Sequence, residues 1–432
     1  MKAQNIIAAK RDGQELADSD IRQFVAGYTS GEIADYQMSA FLMAAYIRGL
    51  SFDETTSLTL AMIESGKVLD LSSIAATKVD KHSTGGIGDK TTLALVPMLA
   101  ACGFTVPKMS GRGLGFTGGT VDKLESIPGF NTTLSLERFV KQLAEIGAAI
   151  AGQSSEITPA DKMIYALRDV TATVDSIPLI AASIMSKKIA CSGEVILLDV
   201  KVGSGAFMKT IERARELSNT MVAIGTNLNR RVGALITDMS QPLGRAIGNA
   251  LEMSEAIETL RGRGPADFTG LCVELCAVLI NLAEPDCNMT QAIDRARESL
   301  DSGVASAKFA EIVEAQGGDI RVLDDPSLLP QANIVHSVCS RSAGVVSRID
   351  AAGIGEAASA LGAGRQRKEN GIDPAVGVLI EKKIGDTVKS GDVLAIIHGN
   401  DPTAVDCADK IIRRCYTVGA EANIPPLIVE RI

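Results

Sequence analysis

The sequence predicts an α/β protein with a small all-helical domain, a larger mixed α/β domain with a mostly parallel central sheet, and a C-terminal hammerhead-like β module. Helix signals dominate the first 65 residues, and strand-like segments then alternate with helices to about residue 330. Short strands and glycine turns follow from residue 331. Strands that alternate with helices are typical of a parallel sheet. A chain of 432 residues is long enough for two or three domains.

The helical domain is predicted from residues 1–65 together with residues 160–191. Ser51 and Glu54 form the pattern of a capping box before an apolar helical run. Thr158 and Pro159 mark another helix start, with Thr158 as the N-cap, and this helix should run to about residue 167. A further helix is expected over residues 176–190.

The α/β domain is predicted from residues 66–159 together with residues 192–330. An apolar helix at residues 91–101 should stop near Gly103, and helices dominate residues 246–316. The expected strands cover residues 78–81, 105–109, 194–200 and 232–239.

The third domain, residues 331–432, contains two strand-like segments at 376–383 and 393–398 with glycine turns between them. This pattern is similar to the hammerhead module of biotin and lipoyl carriers. A carrier needs a lysine on a hairpin tip between methionine or small residues, and we find none there. The module is therefore predicted to be structural.

Composition excludes several classes of function. The net charge is −9, aromatic residues make up 3% and no basic run is present, which disfavours nucleic-acid binding. The N-terminus lacks the apolar stretch of a signal peptide, and no window reaches 18 uninterrupted apolar residues, so we expect a cytoplasmic protein without a membrane span. The eight cysteines are scattered and histidine is scarce, which predicts buried thiols in a reducing compartment and no zinc site.

Residues 79–92, VDKHSTGGIGDKTT, form the densest group of functional side chains. A strand here leads through glycine-rich turns into a helix N-terminus, where free N–H groups and the helix dipole favour an anion. Lys81 adds a positive charge, while Ser83 and Thr92 add hydroxyl donors, and this set suits phosphate. The order and spacing of a nucleotide P-loop are missing. A purely structural turn is the alternative.

A second glycine-rich segment, KMSGRGLGFTGGTVDKLES, covers residues 108–126 and places five glycines within nine residues. Each glycine destabilises the fold by roughly 0.5–1 kcal/mol relative to alanine wherever alanine would serve, so such a loop usually allows backbone to approach a ligand. Ser110 and Thr120 flank the loop and could complete a phosphate site. The charged residues that follow the loop are expected to form local ion pairs, namely Asp122, Lys123 and Glu125.

Residues 110–125 closely resemble the hallmark segment of the thymidine and pyrimidine-nucleoside phosphorylases. The resemblance extends over nearly the whole chain. It implies the fold of the class II nucleoside phosphorylases and the reversible phosphorolysis of uridine, thymidine and deoxyuridine in pyrimidine salvage. It also implies inorganic phosphate as co-substrate, no organic cofactor and a homodimer. The matching segments, in the family's order, are residues 10–13, 79–92, 159–162, 168–173, 199–208 and 238–239.

The resemblance further implies roles for individual residues. Ser183 and Lys187 are four residues apart on one predicted helix, so they share a face that could hold a pyrimidine. Arg and Lys can donate to the carbonyl oxygens of the ring. Without the resemblance, a solvated helix face would explain Lys187 more simply. The phosphate-binding residues would be Lys81, Ser83, Thr92, Lys108, Ser110 and Thr120. The pyrimidine-binding residues would be Arg168, Ser183 and Lys187, and the catalytic residues His82, Arg168 and Lys187.

Two residues depart from the family pattern. Phe116 stands where the family usually has His, so an apolar wall would replace a polar contact to the base. Lys90 stands where related bacterial enzymes have Thr, at a position that lines a potassium site in those enzymes. A potassium ion is expected here if residue 90 contributes only its backbone carbonyl, whereas the added charge of Lys90 disfavours it. The residues at the five positions of that site are Gly88, Lys90, Leu243, Ala246 and Glu255.

Lys108 bears on the choice of sugar. Family members that accept both ribose and deoxyribose carry Lys at this position, whereas the strict thymidine enzymes carry Met. The resemblance therefore implies a broad-specificity enzyme, with a strict thymidine phosphorylase as the alternative.

Two hypotheses from other classes stay open at this point. A phosphoribosyltransferase of the related anthranilate type would share the fold and the glycine loops. It would need carboxylates that hold magnesium for its pyrophosphate donor, and we see no acidic pair beside the loops. A non-catalytic binding or carrier protein would have no use for Lys81, Arg168, Ser183 and Lys187 together.

Overall fold

The computed structural model describes residues 2–113, 118–365 and 371–432, which form three regions of distinct architecture. The helices are α1 Ala3–Arg11, α2 Asp18–Ser30, α3 Asp35–Arg48, α4 Phe52–Glu64, α5 Thr91–Ala101, α6 Thr120–Leu124, α7 Leu136–Ile146, α8 Pro159–Val170, α9 Ile177–Ala190, α10 Ile211–Asn227, α11 Asn249–Leu260, α12 Ala266–Ala283, α13 Met289–Asp301, α14 Val304–Ala315, α15 Ala351–Leu361 and α16 Pro402–Cys415. The strands are β1 Val79–Ser83, β2 Val106–Ser110, β3 Ala148–Gly152, β4 Val195–Val202, β5 Arg231–Asp238, β6 Ala246–Ile247, β7 Ile334–Cys339, β8 Gly344–Ile349, β9 Gly377–Ile380, β10 Thr387–Val388, β11 Val393–Gly399, β12 Tyr416–Gly419 and β13 Ile428–Arg431.

Helices α1 to α4 and α8 pack around one apolar core that includes Phe24 and Phe41. Helix α9 is shared between two cores, because Leu179 faces this helical core and Met185 faces the core of the α/β region. Helix α9 therefore joins the helical region to the core of the α/β region.

The central sheet has the strand order β1-β4-β5-β13. Strands β1, β4 and β5 are parallel, whereas β13 pairs with β5 in the antiparallel direction. Strands β2 and β3 form a further parallel pair, and a parallel bridge between Lys78 and Thr105 connects it to β1. The prediction of a mostly parallel sheet is confirmed, and the carboxyl ends of β1, β2 and β4 meet at one edge.

The C-terminal region contains two antiparallel sheets, β6-β9-β11-β7 and β10-β8-β12, with α15 and α16 packed against each other. The strand expected at residues 376–383 is shorter in the structure, where β9 covers Gly377–Ile380. Residues 246–247, which were predicted to be helical, form β6 and pair with β9. The last strand, β13, leaves this region and joins the central sheet.

Two helix starts were predicted with caps, and both starts are confirmed, but only one side-chain cap forms. The capping box of Ser51 and Glu54 is confirmed, since the Ser51 hydroxyl accepts the Glu54 N–H. Thr158 occupies the N-cap position before Pro159, as predicted, but its backbone is left-handed (φ 46°) and its side chain makes no cap hydrogen bond. The Ser65 hydroxyl takes this role and accepts the N–H of Ala160 at 3.1 Å. The capping group comes from a distant part of the chain, which local sequence does not reveal.

Among the described residues, α12 is long and apolar enough to cross a membrane. Its Phe268, Leu275 and Ile280 are fully buried, and the helix packs against α5 and α13. This is the pattern of a core helix.

Candidate active site

The carboxyl ends of three strands bring most of the predicted phosphate residues together. Lys81 and Ser83 lie on β1, and Lys108 lies on β2. Strand β4 contributes Asp199, which is the register partner of Ser83. The Lys81 ammonium donates to the hydroxyl of Thr91, the first residue of α5, at 2.5 Å, so the start of α5 lies at the same edge.

Lys81 is buried among carboxylates. Its Nζ lies 2.9 Å from Asp199 Oδ2 and 4.0 Å from Asp89 Oδ1, and Lys201 lies 2.8 Å from the same oxygen of Asp199. Burial alone would lower the pKa of Lys81, but the attraction of Asp199 and Asp89 outweighs burial and raises it. Lys81 is therefore charged at neutral pH.

Asp89 organises the glycine-rich turn between β1 and α5. Its carboxylate accepts the Ser83 hydroxyl, and it also accepts the Thr91 N–H at 3.2 Å and the Thr91 hydroxyl at 2.6 Å. Ser83 Oγ in turn accepts the N–H of Gly85 at 3.1 Å. Thr92 follows as the second residue of α5 and is buried. Ser83 can donate to an anion here only if its hydroxyl turns away from Asp89.

Lys108 forms a second buried cluster with Asp80 and Lys188. Lys108 Nζ lies 3.2 Å from Asp80 Oδ1 and also donates to the carbonyl of Lys81, and Lys188 Nζ lies 2.7 Å from Asp80 Oδ2. Burial, together with the repulsion of Lys188 and Lys81, outweighs the attraction of Asp80 and lowers the pKa of Lys108 to about 7. The charge of Lys108 therefore changes near neutral pH.

Ser110 and Thr120 flank the second glycine-rich loop, as expected, because Ser110 ends β2 and Thr120 begins α6. Phe116 lies outside the described residues. Gly119 shows why part of this loop needs glycine, since a Cβ there would lie 2.1 Å from the backbone nitrogen of Gly113.

The expected ion pairs beside the loop are confirmed for Asp122 and Glu125. Both carboxylates pair with Arg112, at 3.2 Å and 2.5 Å, and Asp122 also accepts the Gly113 N–H at 2.7 Å. Lys123 does not pair within this group, because its Nζ lies 2.6 Å from Glu252. These contacts fix the loop to the helix that follows it.

Ser183 and Lys187 lie in contact on α9, as their spacing predicts. Lys187 Nζ donates to the Ser183 hydroxyl at 2.9 Å and to Asp161 Oδ2 at 2.5 Å. Asp161 lies in the first turn of α8, and its Oδ1 is buried without a hydrogen-bond partner among the described residues. Lys187 and Ser183 thus offer a cation and a hydroxyl to the polar edge of a ring, and Asp161 holds the Lys187 ammonium in place.

Arg168 is 1% exposed, and its guanidinium is held by backbone carbonyls. Its three nitrogens donate to the carbonyls of Thr173, Leu179 and Val174 at 3.2, 2.9 and 2.6 Å. Burial lowers its pKa to about 10. A guanidinium has five N–H groups, so two are left for another acceptor. Arg168 thus fixes the turn before α9, in addition to any contact with a ligand.

His82 lies on β1 between Lys81 and Ser83. Burial, and then the charges of Lys188, Lys108, Lys187 and Lys81, hold its pKa well below the usual range. His82 is therefore neutral at neutral pH and can donate an N–H hydrogen bond without carrying charge. The charges of both Lys187 on α9 and Lys81 on β1 therefore act on His82.

The five residues expected to line a potassium site come together, but the side chain of Lys90 lies among them. Lys90 Nζ donates to the carbonyl of Leu243 at 3.0 Å and to the carboxylate of Glu255. A Cβ on Gly88 would lie 2.5 Å from Leu243 O and 3.2 Å from Ala246 O, so both carbonyls converge on the turn. An ammonium group already binds two of these oxygens, and the residues present do not fit a potassium ion in addition.

Several carboxylates that hold the basic residues were not predicted as site residues. Carboxylates next to an expected anion site run against simple charge complementarity, so reasoning from charge passes over them. Their only signal in the sequence was their position inside segments that the family resemblance covers. They are Asp80, Asp89, Asp161 and Asp199.

Comparison with known proteins agrees with this architecture. Residues 4–66 match the helical bundle domain of a glycosyl transferase family, and residues 75–306 match its a/b domain. Residues 345–419 match the pyrimidine nucleoside phosphorylase C-terminal domain. These matches follow the three regions of the structure.

Curated relatives match along almost their full length. The chain is 51% identical over 428 residues to a protein from Staphylococcus haemolyticus, with 99% of each chain covered. It is 49% identical to a protein from Geobacillus stearothermophilus, with 100% of each covered, and 50% identical to one from Bacillus subtilis, with 99% of each covered. Each of these relatives is named pyrimidine-nucleoside phosphorylase.

Among solved structures, anthranilate phosphoribosyltransferase from Thermus thermophilus is similar, with a TM-score of 0.59 and 16% identity. The match covers 72% of this chain and 99% of that chain. At this level of identity the likeness shows a shared fold and says nothing about a shared reaction.

Proposed function

Because the chain belongs to the pyrimidine-nucleoside phosphorylase family, we propose that it cleaves pyrimidine nucleosides with inorganic phosphate and needs no organic cofactor. The observation that best supports this reaction is the ion pair of Lys188 on α9 with Asp80 on β1, at 2.7 Å, because it brings the element that carries Lys187 next to the element that carries Lys81. The group around Lys81 suits an oxyanion, and the group around Lys187 suits the carbonyl edge of a pyrimidine. The sugar would then lie between them, near His82.

The phosphate side would hold its ligand through charge and hydroxyl donors. Lys81 supplies a buried positive charge, and the start of α5 adds backbone N–H groups and the dipole of the helix. Ser83, Thr92, Ser110 and Thr120 supply further donors in this proposal. A phosphate oxygen would bond to the anomeric carbon, so the site mainly positions a nucleophile that is already adequate. No covalent intermediate with the enzyme is required.

The pyrimidine side would stabilise the leaving group. As the bond from the anomeric carbon to the ring nitrogen breaks, its electron pair moves onto the base, and negative charge grows on the ring carbonyls. Lys187 and Arg168 are the donors that we assign to this charge, with Ser183 beside them. Removing one such donor typically costs roughly 2.7–4 kcal/mol. A cleft between the two domains that closes during turnover would exclude water and suppress hydrolysis.

The test is an absorbance assay for release of free base from uridine and thymidine, with and without phosphate. We expect release from both nucleosides only when phosphate is present. Release without phosphate would indicate hydrolysis, and activity on thymidine alone would indicate the strict thymidine enzyme. A requirement for added magnesium and a pyrophosphate-bearing sugar would favour the phosphoribosyltransferase instead.

Lys108 is proposed to tune the choice between ribose and deoxyribose. Its pKa is lowered to about 7, so its charged fraction falls as the pH rises through neutrality. We expect the ratio of kcat/KM for uridine to kcat/KM for thymidine to fall by about tenfold between about pH 6 and pH 8.5, since a hydrogen bond to a charged donor contributes at least about 1.5 kcal/mol. In Lys108→Met the ratio should be low and independent of pH. A pH-dependent ratio in this variant would assign the effect to another group.

A homodimer is proposed through the helical domain. Helix α3 exposes large apolar side chains at helical spacing, with Tyr36 76%, Met43 37% and Ile47 69% exposed. A contiguous apolar face of this kind is typical of an interface. We expect Ile47→Glu to convert the dimer to a monomer, as measured by light scattering. Val335 is an exposed valine on β7, and Val335→Glu should leave the molar mass at that of the dimer. A monomeric wild-type protein would exclude the dimer.

The cytoplasmic location and the place in pyrimidine salvage that the sequence suggested stay predictions. Both agree with an enzyme whose substrates are nucleosides and free phosphate.

A further inference from the structure

We infer that the Lys90 side chain is a built-in replacement for a bound monovalent cation, so that this protein keeps its glycine-rich turn in place without potassium. The cluster consists of Gly88, Lys90, Leu243, Ala246 and Glu255. It holds the turn before α5, and this role is independent of the proposed reaction.

The Lys90 ammonium group is buried and has its own partners. Lys90 is 1% exposed, and its Nζ donates to Leu243 O at 3.0 Å and to the Glu255 carboxylate. The same Nζ lies 5.0 Å from the centre of the Phe268 ring, within the range of a cation–π contact. A potassium site needs several oxygens that replace the ion's hydration shell. Two oxygens and a ring face suit the three N–H groups of an ammonium better.

Packing around the cluster leaves little room for a second cation. A Cβ on Gly244 would lie 2.0 Å from Glu255 Oε1 and 2.8 Å from Lys90 Nζ, so the backbone closes tightly over the ion pair. The Glu255 carboxylate also accepts the backbone N–H groups of Arg245 and Ala246, each at 2.9 Å. The Lys90 ammonium and the Glu255 carboxylate therefore already have partners within the protein.

The balance of charge supports the same conclusion. The buried and half-buried carboxylates described near the cluster each have an ammonium partner. Lys123 lies 2.6 Å from Glu252 and Lys383 lies 2.9 Å from Asp267, while Lys90 pairs with Glu255. A further cation would be buried without a counter-charge, which is strongly unfavourable. With a neutral side chain at position 90, Glu255 would lack a cation and could accept one from solution.

The cluster also connects distant parts of the chain. Lys90 immediately precedes α5, and the Leu243 N–H donates to the carbonyl of Ile87 at 3.0 Å. Lys383 from the C-terminal region holds the same segment through the carbonyl of Gly244 at 2.9 Å. The ammonium of Lys90 therefore ties the turn that leads into α5 to α11, which contains Glu255, and to the chain before it.

The experiment compares thermal unfolding in potassium chloride and in choline chloride at equal ionic strength. We expect the wild-type Tm to be the same in both salts. Lys90→Thr should have a lower Tm in choline and should recover part of it as potassium is added, with saturation. Lys141→Thr, the same change at an exposed lysine on α7, should show no response to potassium.

A saturable rise of the wild-type Tm with potassium would overturn the inference, as would a folded Lys90→Thr variant that ignores potassium. If Lys90→Thr does not fold, wild-type crystals soaked in rubidium chloride decide the question. We expect no anomalous density beside Leu243 O and Glu255, and a peak there would overturn the inference.

Discussion

Lys187→Ala is expected to lower kcat for release of the pyrimidine by about 10²–10³, while phosphate binding persists. The Lys187 ammonium contacts Ser183 on the same face of α9, where it can donate to the charge that grows on the leaving base. The residues assigned to phosphate lie on other elements, chiefly β1 and the start of α5, and this change does not touch them. The absorbance assay gives kcat, and titration calorimetry gives the Kd of phosphate.

The control for Lys187→Ala concerns Asp161, which loses its ammonium partner in that variant. A buried carboxylate without a partner destabilises the fold. The double variant Lys187→Ala, Asp161→Asn removes that charge, and we expect a Tm near the wild-type value with activity still low. Lys141→Ala serves as the surface-lysine control. If Lys187→Ala lost phosphate binding as fully as it lost turnover, the separation into two binding regions would be wrong.

Lys81→Met is expected to abolish measurable phosphate binding and to lower kcat/KM by about 10³ or more, while uracil binding persists. The variant removes the buried positive charge, while the methionine side chain is nearly isosteric with the lysine that it replaces. Asp199 keeps its other partner, Lys201, at 2.8 Å, so the carboxylate does not become an isolated buried charge. The measurements are calorimetry with phosphate and with uracil, together with the steady-state rate.

Thermal unfolding separates a local effect of Lys81→Met from a loss of the fold. We expect the Tm to fall by several degrees and the protein to stay folded at room temperature. The control variant Lys141→Met should match the wild type in phosphate binding, in uracil binding and in the steady-state rate. If Lys81→Met kept its affinity for phosphate, Lys81 would not be part of the phosphate site, and the site would lie elsewhere.

Local patterns predicted several parts of this structure well. Helix α5 covers Thr91–Ala101, as predicted, because an apolar run there ends next to a glycine at position 103. Ser183 and Lys187 touch because residues four apart share a helix face. Features of this kind depend on neighbours in the chain, which the sequence displays directly.

Other features depend on contacts between distant segments. The Thr158 side chain makes no cap hydrogen bond to α8, and the Ser65 hydroxyl reaches the helix start from another part of the chain. The direction of the Lys90 side chain follows from Leu243 and Glu255, which lie 153 and 165 residues away in the sequence. The carbonyl partners of Arg168 likewise depend on the path of the turn before α9. The carboxylates beside the basic residues could not be predicted from charge, because an anion site favours cations around it.

The most direct test is a crystal structure of the protein with phosphate and uracil bound together. We predict phosphate oxygens within hydrogen-bond distance of Lys81 Nζ, and a uracil carbonyl within hydrogen-bond distance of Lys187 Nζ. His82 should lie between the two ligands. Either ligand bound away from its lysine, or the two ligands bound too far apart to share one sugar, would contradict the account.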